Sequence, residues 1–319
     1  MTLPRSLIAD IGGTNTRVAL ASGGALERPS IRKYRNAQYS GLDAVLAAYF
    51  DEIGQQDCEG ACVALAGPVR GDRGTLTNLD WTLDTDILRH STGAGTAALL
   101  NDLQAQGYGL LDLQPKDCVQ VIKPELPAQG DTRLVINVGT GFNAVPVYRT
   151  GSNLLVPPSE CGHGTLPVQN AEEFSLYQYI EQSHGFAAVE EVLSGRGLEM
   201  VFRWVAQQEG GSHQLSSAEI IPAGLNGTDP LARKTLEVFS RIFGSVSGDL
   251  ALSVLPFGGV YLVGGVARAL GKSLTYFGFS EGFINKGRFA PVLKGFSVNI
   301  VEDDYAALSG SARYLAALI

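Results

Sequence analysis

A pattern of strand, glycine turn and strand occurs twice in this chain. The first copy covers residues 6–20 and the second covers residues 133–148. In both, a run of apolar residues leads into a short turn of glycine and threonine, and an alternating run returns, as in a β-hairpin. When the copies are superimposed, Asp10 aligns with Asn137 and glycines of the two turns coincide. The repeat predicts two related α/β halves, each opening with a hairpin.

Apolar spacing predicts the elements around the hairpins. Residues 40–54 repeat apolar side chains at helical intervals, with Ser40 as the expected N-cap and Gly54 as the stop. The same criteria predict further helices over residues 231–255 and 306–319, and buried strands over residues 62–66 and 260–263. No low-complexity linker separates the halves, so we expect two packed lobes with a cleft between them.

Composition excludes several classes of protein. The chain has 319 residues, 45% of them apolar, and a formal net charge of −8. This apolar content argues against disorder, and the negative charge argues against a nucleic-acid-binding protein. No apolar run approaches the roughly 18 residues of a membrane span, so no membrane segment is expected. Four cysteines (Cys58, Cys62, Cys118 and Cys161) are too few for a disulfide scaffold and favour a cytoplasmic location.

The two glycine turns have the chemistry of phosphate cradles. Glycine lets backbone N–H groups approach phosphate oxygens closely, and the first glycine turn, Gly12-Gly13-Thr14-Asn15, adds hydroxyl and amide groups. Asp10 could hold Mg²⁺ through water, since hard cations prefer oxygen ligands. The second glycine turn, residues 139–141, offers Thr140-Gly141 for the same purpose. Either turn alone could equally be an ordinary tight turn.

Two other glycine motifs fail on their spacing. Gly139-x-Gly141-x-x-Ala144 fits a loose dinucleotide fingerprint, which requires a helix to follow at once. Pro146 instead favours a return strand, because proline disrupts a helix interior. Residues 265–273 resemble a P-loop but have five residues, not four, between the first glycine and the Gly-Lys pair.

Two short segments carry candidate catalytic and binding groups. Asn101-Asp102 follows an apolar run at a junction between elements; either residue could instead cap a helix beginning near Leu103. Glu160 and His163 share a glycine-punctuated loop, which suits a polyol better than zinc because the further possible ligand, Cys161, has no CxxC partner. Glu190 is a further acid, whose default interpretation is a solvated helix face.

With these segments in order, the sequence resembles the bacterial glucokinases, in the sugar kinase/Hsp70/actin superfamily. The resemblance covers nearly the whole chain. Its motifs are IADIGGTNTRVAL from residue 8, TNLDW at 77–81, LND at 100–102, GTG at 139–141, ECGH at 160–163, EEVLSGRGL at 190–198, GGVYLVGGVAR at 258–268 and KGRF at 286–289.

The resemblance implies a two-lobed, actin-like (ribonuclease H-like) α/β fold and a kinase that phosphorylates glucose at O6 with ATP and Mg²⁺. It implies that Asp102 is the catalytic base. The sugar would be bound by four residues, Asn101, Glu160, His163 and Glu190. The nucleotide would be bound by Asp10, Gly12, Gly13, Thr14, Asn15, Thr140, Gly141, Gly264 and Gly265. We expect a small domain over 1–103 plus 304–319 and a large one over 104–303, and the family suggests a homodimer.

Two positions depart from the family pattern. The family commonly has GTGLG at the second glycine turn, whereas this chain has Asn143 in place of the last glycine. Asparagine tolerates left-handed backbone geometry better than most residues. Cys161 stands where the sugar loop usually has glycine, which could narrow the pocket or alter the sugar preference. Alternatives are therefore a kinase for mannose, fructose or an N-acetyl sugar, and a non-catalytic sugar sensor of the same fold.

Overall fold

The computed structural model describes residues 5–54, 58–76, 79–127 and 129–319. Its strands are β1 (Arg5–Ile11), β2 (Asn15–Ser22), β3 (Ala25–Leu26), β4 (Arg32–Arg35), β5 (Gly60–Leu65), β6 (Val69–Arg70), β7 (Arg73–Thr75), β8 (Thr82–Asp84), β9 (Thr96–Asn101), β10 (Cys118–Ile122), β11 (Arg133–Val138), β12 (Phe142–Thr150), β13 (Asn153–Leu155), β14 (Val260–Val263) and β15 (Val298–Val301). Its helices are α1 (Leu42–Ile53), α2 (Thr85–Thr92), α3 (Asp102–Gly109), α4 (Ala171–His184), α5 (Gly195–Gln208), α6 (Ser217–Asn226), α7 (Pro230–Val254), α8 (Gly265–Leu270), α9 (Ser273–Tyr276), α10 (Phe279–Ile284), α11 (Ala290–Leu293) and α12 (Ala306–Ala316).

The chain divides into two compact units. Unit 1 contains Met1–Gln114, Thr150–Pro158 and Asp303–Ile319, and unit 2 contains Pro115–Arg149 and Ser159–Glu302. Unit 1 therefore includes residues 104–114, whereas the expected small domain ends at residue 103. The expected domain boundaries stay a prediction.

Both units contain the same four-strand arrangement. In unit 1 the order is β2-β1-β5-β9, with β1 antiparallel to β2 and parallel to β5, and β5 parallel to β9. In unit 2 the order is β12-β11-β14-β15 with the same directions, and β10 lies antiparallel to β15. Asp10 and Asn137 are the penultimate residues of β1 and β11. The predicted repeat of hairpin-led α/β halves is confirmed.

Helix α1 shows how sequence pattern becomes packing in unit 1. Its apolar residues line one face and are buried against the sheet, with Tyr49 and Val45 fully buried. The helix ends at Gly54, whose φ of 69° is the left-handed C-cap conformation that glycine adopts without steric cost. The prediction that Ser40 is the N-cap is wrong: Gly41 occupies that position, because the first helical residue is Leu42.

The core of unit 2 is built around α7 and the central strands. Helix α7 covers residues 230–254, and nearly all of β14 is buried. The helix predicted over 231–255 and the buried strand predicted over 260–263 are thus confirmed. The aromatic rings of Phe243 and Phe279 pack edge to face between α7 and α10, with centroids 5.0 Å apart. Within the described residues, no helix is long and apolar enough to cross a membrane.

Candidate active site

The first glycine turn joins β1 to β2 in unit 1. It is closed by a hydrogen bond from the Gly12 N–H to the Asn15 carbonyl, 3.0 Å long. Gly13 and Thr14 at its tip are exposed. The turn therefore presents backbone and a hydroxyl to solvent at the end of a rigid sheet, as a phosphate cradle requires.

A buried asparagine that no sequence motif indicated forms hydrogen bonds to the backbone of this turn. Asn36 is 2% exposed and lies in the short 3₁₀ turn after β4. Its Nδ2 donates to the Gly12 carbonyl at 2.8 Å, its Oδ1 accepts from the Thr16 hydroxyl at 2.8 Å, and its backbone N–H donates to the Thr14 carbonyl. Nothing in the local sequence distinguishes this asparagine from an ordinary turn residue.

Asp10 lies beside the first glycine turn and is paired with Arg17 on the neighbouring strand. The Arg17 Nη1 lies 3.3 Å from the Asp10 Oδ2. Burial raises the pKa of the Asp10 carboxyl above its usual value, and the Arg17 guanidinium opposes this rise. Among the described residues, no three His, Cys, Asp or Glu side chains group to hold a metal ion. Mg²⁺ commonly needs only one or two carboxylates beside water and phosphate oxygens, so Asp10 fits that part.

Asn101 and Asp102 stand where β9 passes into α3. The Asn101 Oδ1 accepts from the Leu103 N–H at 3.0 Å, and Gln104 reaches back to the Asn101 N–H at 3.3 Å, forming a capping box. Asn101 Nδ2 also donates to the Gly67 carbonyl at 3.1 Å. The alternative that Asn101 caps a helix is confirmed, and its role toward a sugar stays a prediction. Asp102 is the first residue of α3, where the helix dipole favours a carboxylate.

These two parts of unit 1 lie at one edge of its sheet. Ile11 at the end of β1 is in register with Leu65 of β5, which is in register with Asn101 of β9. Because β1, β5 and β9 are parallel, their carboxyl ends meet at the same edge, the usual position of ligands in α/β sheets. Two strand spacings separate β1 from β9, or roughly 10 Å.

In unit 2 the second glycine turn packs against the Gly264-Gly265 pair. Gly264 has a φ of 98°, and a Cβ on it would lie 2.6 Å from the Asn137 Oδ1 and collide with the Val138 carbonyl. The Gly139 carbonyl accepts a 2.8 Å hydrogen bond from the Gly195 N–H at the start of α5. The predicted nucleotide residues Thr140, Gly141, Gly264 and Gly265 thus lie around one glycine-lined surface. Gly265 is exposed, and a Cβ there would lie within 4 Å of no described residue.

Glu190 lies against the same turn. Its Oε2 accepts the Phe142 N–H at 2.8 Å, and a Cβ on Gly141 would lie 2.6 Å from that oxygen. Its Oε1 lies 3.2 Å from the Arg196 Nη2, and the Glu190 side chain is only 17% exposed. The interpretation as a solvated helix face is wrong, because the acid occupies a 3₁₀ turn and faces the hairpin.

The Glu160–His163 loop adjoins Glu190. Both Glu160 and His163 are exposed, on a 3₁₀ turn in which the His163 N–H donates to the Glu160 carbonyl at 3.2 Å. Gly162 fits only as glycine, since a Cβ would collide with the Phe142 carbonyl. The Val189 N–H donates to the Gly164 carbonyl at 2.9 Å, which ties the Glu190 turn to this loop. Unit 2 thus brings three predicted sugar residues beside its glycine turn.

Three other sequence motifs were predicted, and the structure describes two of them fully. Thr77 and Asn78 of the TNLDW motif lie outside the described residues. Pro146 lies within β12, so the return strand predicted there is confirmed and the dinucleotide fingerprint is excluded. Lys286 of the KGRF motif is buried against α7, with its Nζ 2.7 Å from the Asp249 Oδ1, an arrangement that supports packing rather than ligand binding.

Comparison with known proteins gives consistent results. A family model described as Glucokinase matches residues 7–318. A glucokinase of Neisseria meningitidis serogroup C / serotype 2a is 32% identical over 314 residues, covering 97% of this chain and 94% of the relative. A glucokinase of Nostoc punctiforme is 32% identical and covers 98% of this chain and 99% of the relative.

A solved structure of similar fold comes from an Antarctic psychrotroph. This crystal structure of a glucokinase matches with a TM-score of 0.87 and 27% identity, covering 98% of this chain and 99% of the other. Together with the strand order repeated in the two units, this match confirms the predicted fold class, an actin-like α/β fold with a duplicated core.

Proposed function

The chain belongs to the glucokinase family, and from that premise we propose that it transfers the terminal phosphoryl group of ATP to O6 of glucose, giving glucose 6-phosphate and ADP. The observation that carries the proposal is the contact between Glu190 and the second glycine turn, at the Phe142 N–H. It brings a group suited to sugar hydroxyls against a turn suited to phosphate, as transfer between a nucleotide and a sugar requires.

Asp102 is assigned as the general base. It would accept the proton of the 6-hydroxyl as the oxygen attacks the terminal phosphorus, and the bond from that phosphorus to the ADP oxygen breaks. Its position supports the role, because the Asn101 cap fixes the start of α3 and Asp102 is the first residue of that helix. Phosphoryl transfer depends mainly on positioning and charge stabilisation, which a rigidly held carboxylate can supply.

The other sugar contacts are assigned to Asn101, Glu160, His163 and Glu190. Carboxylates accept hydrogen bonds from vicinal hydroxyls, while amide and imidazole groups can both donate and accept. The Asn101 Nδ2 carries a second hydrogen beside the one donated to the Gly67 carbonyl, whereas its Oδ1 accepts from the backbone N–H groups of Leu103 and Gln104.

The nucleotide phosphates are assigned to the two glycine turns, and the adenosine to Gly264-Gly265. Magnesium, when bound, would neutralise the charge that builds up on the phosphate oxygens. Asp10 would hold its water shell, and the Arg17 ion pair would keep that carboxylate oriented. A homodimer and a cytoplasmic location stay predictions.

Substitution of the base tests the proposal. Asp102→Asn preserves size and helix position but removes the proton acceptor, so kcat should fall by about 10²–10⁴-fold. The assay couples glucose 6-phosphate formation to its dehydrogenase. Asp86→Asn is the matched control, because Asp86 also lies in the first turn of a helix, α2, and its described ion pair is with Arg89 on the surface.

The outcome is read from both variants and from a panel of sugars. A kcat for Asp102→Asn within about tenfold of the parent contradicts the assignment of the base. The sugar panel is compared by ADP formation, and a higher kcat/KM for mannose, fructose or an N-acetyl sugar than for glucose contradicts the assigned substrate. The control should retain the parent activity.

A further inference from the structure

Asn143 occupies an ordinary strand position rather than a left-handed turn. It lies in β12, in register with Asn137 of β11. Leu255 is the one described residue other than glycine with a positive φ, so the suggested left-handed geometry is not used at position 143. The reason for an asparagine there must lie in its side chain.

The side chain of Asn143 reaches the loop that carries Glu160. Its Nδ2 donates a short hydrogen bond, 2.5 Å, to the Ser159 carbonyl. Its Oδ1 accepts from the Cys161 N–H at 3.3 Å and lies 3.6 Å from the Cys161 Sγ. The same oxygen also accepts from the Ala144 N–H at 2.8 Å, which fixes the rotamer of the amide.

These contacts bracket Glu160. The Ser159 carbonyl belongs to the peptide group before Glu160, and the Cys161 N–H belongs to the peptide group after it. One amide therefore holds both peptide planes that flank this residue. The Glu160 backbone has φ −134° and ψ 43°, neither helical nor extended, so no regular hydrogen-bond ladder defines it.

Cys161 strengthens the same connection. Burial raises the pKa of its thiol, so the group stays protonated and can act as a weak donor to the Asn143 Oδ1. The two positions that depart from the family pattern are therefore in contact with each other.

We propose that Asn143 is a positioning residue for Glu160, and that it sets the affinity for the sugar by holding both flanking peptide groups through its amide. The inference rests on the proposed function. Removing the amide loosens the backbone around Glu160, although the bonds from the His163 N–H to the Glu160 carbonyl and from the Cys161 N–H to the Ser159 hydroxyl remain. Part of the sugar-binding energy is then spent on reordering Glu160. The residue acts on the sugar through Glu160, and nucleotide binding should change little.

Asn143→Ala is the primary variant, measured for kcat and for both KM values. The KM for glucose should rise at least about tenfold. A tenfold change corresponds to about 1.4 kcal/mol, the net contribution of one or two hydrogen bonds. The KM for ATP should stay within about twofold. Asn299→Ala is the control, because Asn299 is a partly buried strand residue of the same unit whose side chain, among the described residues, donates to the Ser297 hydroxyl. It should leave both KM values unchanged.

A double-mutant cycle with Glu160→Ala separates positioning from a general structural effect. If Asn143 acts through the Glu160 side chain, adding Asn143→Ala to Glu160→Ala should raise the glucose KM by less than about twofold more. A full tenfold further increase in that background overturns the inference, as does a glucose KM for Asn143→Ala within twofold of the parent. Asn143→Thr, which keeps strand propensity but cannot reach both peptides, should reproduce the effect if the alanine variant folds poorly.

The activity of the parent protein separates a failure of the proposed function from a failure of the inference about Asn143. A parent that does not phosphorylate glucose refutes the proposed function and the inference with it. An active parent whose Asn143 variants bind glucose normally refutes the inference alone.

Discussion

Asn36→Ala tests whether the first glycine turn depends on support from behind. The substitution removes two side-chain hydrogen bonds, from Nδ2 to the Gly12 carbonyl and from the Thr16 hydroxyl to Oδ1, each 2.8 Å long. The backbone bond from residue 36 to the Thr14 carbonyl remains. Thr16 is fully buried, so its hydroxyl loses an acceptor where water cannot readily replace it.

The expected magnitude follows from these contacts. Two hydrogen bonds contribute about 1 kcal/mol each, and a buried hydroxyl without its acceptor costs about a further 1–3 kcal/mol. The free energy of unfolding should therefore fall by about 3–5 kcal/mol. If ATP must restore the turn at a cost of about one of these bonds, its KM should rise roughly fivefold.

The assay compares urea unfolding with the KM values for ATP and glucose. Thr92→Val is the matched control, because fully buried Thr92 also loses two side-chain hydrogen bonds, to Leu88 and from Ala94, but lies at the end of α2. It should lower stability comparably and leave the ATP KM unchanged. Equal ATP KM values for parent and Asn36→Ala, or equal increases in both variants, would refute the reasoning.

Two further predictions concern packing and pH. Gly310→Ala should lower the free energy of unfolding by about 1–3 kcal/mol and reduce kcat, because the new Cβ would lie 2.6 Å from the Gly109 N and collide with the Ala105 carbonyl, pushing α12 away from the helix that begins at Asp102. Gly54→Ala, whose Cβ would lie within 4 Å of no described residue, should lower stability without reducing kcat. Unchanged stability for Gly310→Ala would contradict the packing. Burial raises the pKa of the Cys62 thiol to about 12, so the stability contributed by the neutral thiol is fully present below the ordinary pKa of 9.0 and is lost as pH rises toward 12. Above about pH 9, the urea midpoint of Cys62→Ala should therefore decline less steeply with pH than that of the parent. Parallel declines would contradict this prediction.

Local sequence pattern was sufficient to predict the main secondary-structure elements. Both hairpins, the helix over 231–255 and the strand over 260–263 follow from spacing, because the backbone conformation of a short segment depends mainly on neighbouring residues. The N-cap at residue 40 was misplaced by one position, since serine and glycine both suit that site. The environment of Glu190 could not be predicted, because its partner Phe142 is 48 residues away in sequence.

The sequence by itself determined a duplicated, hairpin-led α/β fold, and its motifs placed glycines and acids at strand ends. The tertiary structure decided how those groups are held. Asn36 supports Gly12 across 24 residues, and Asn143 brackets Glu160 across 16 to 18 residues. Each is an ordinary polar residue in its own segment. Its function arises because folding buries an amide against backbone groups from another element, and those groups need a partner once water is excluded.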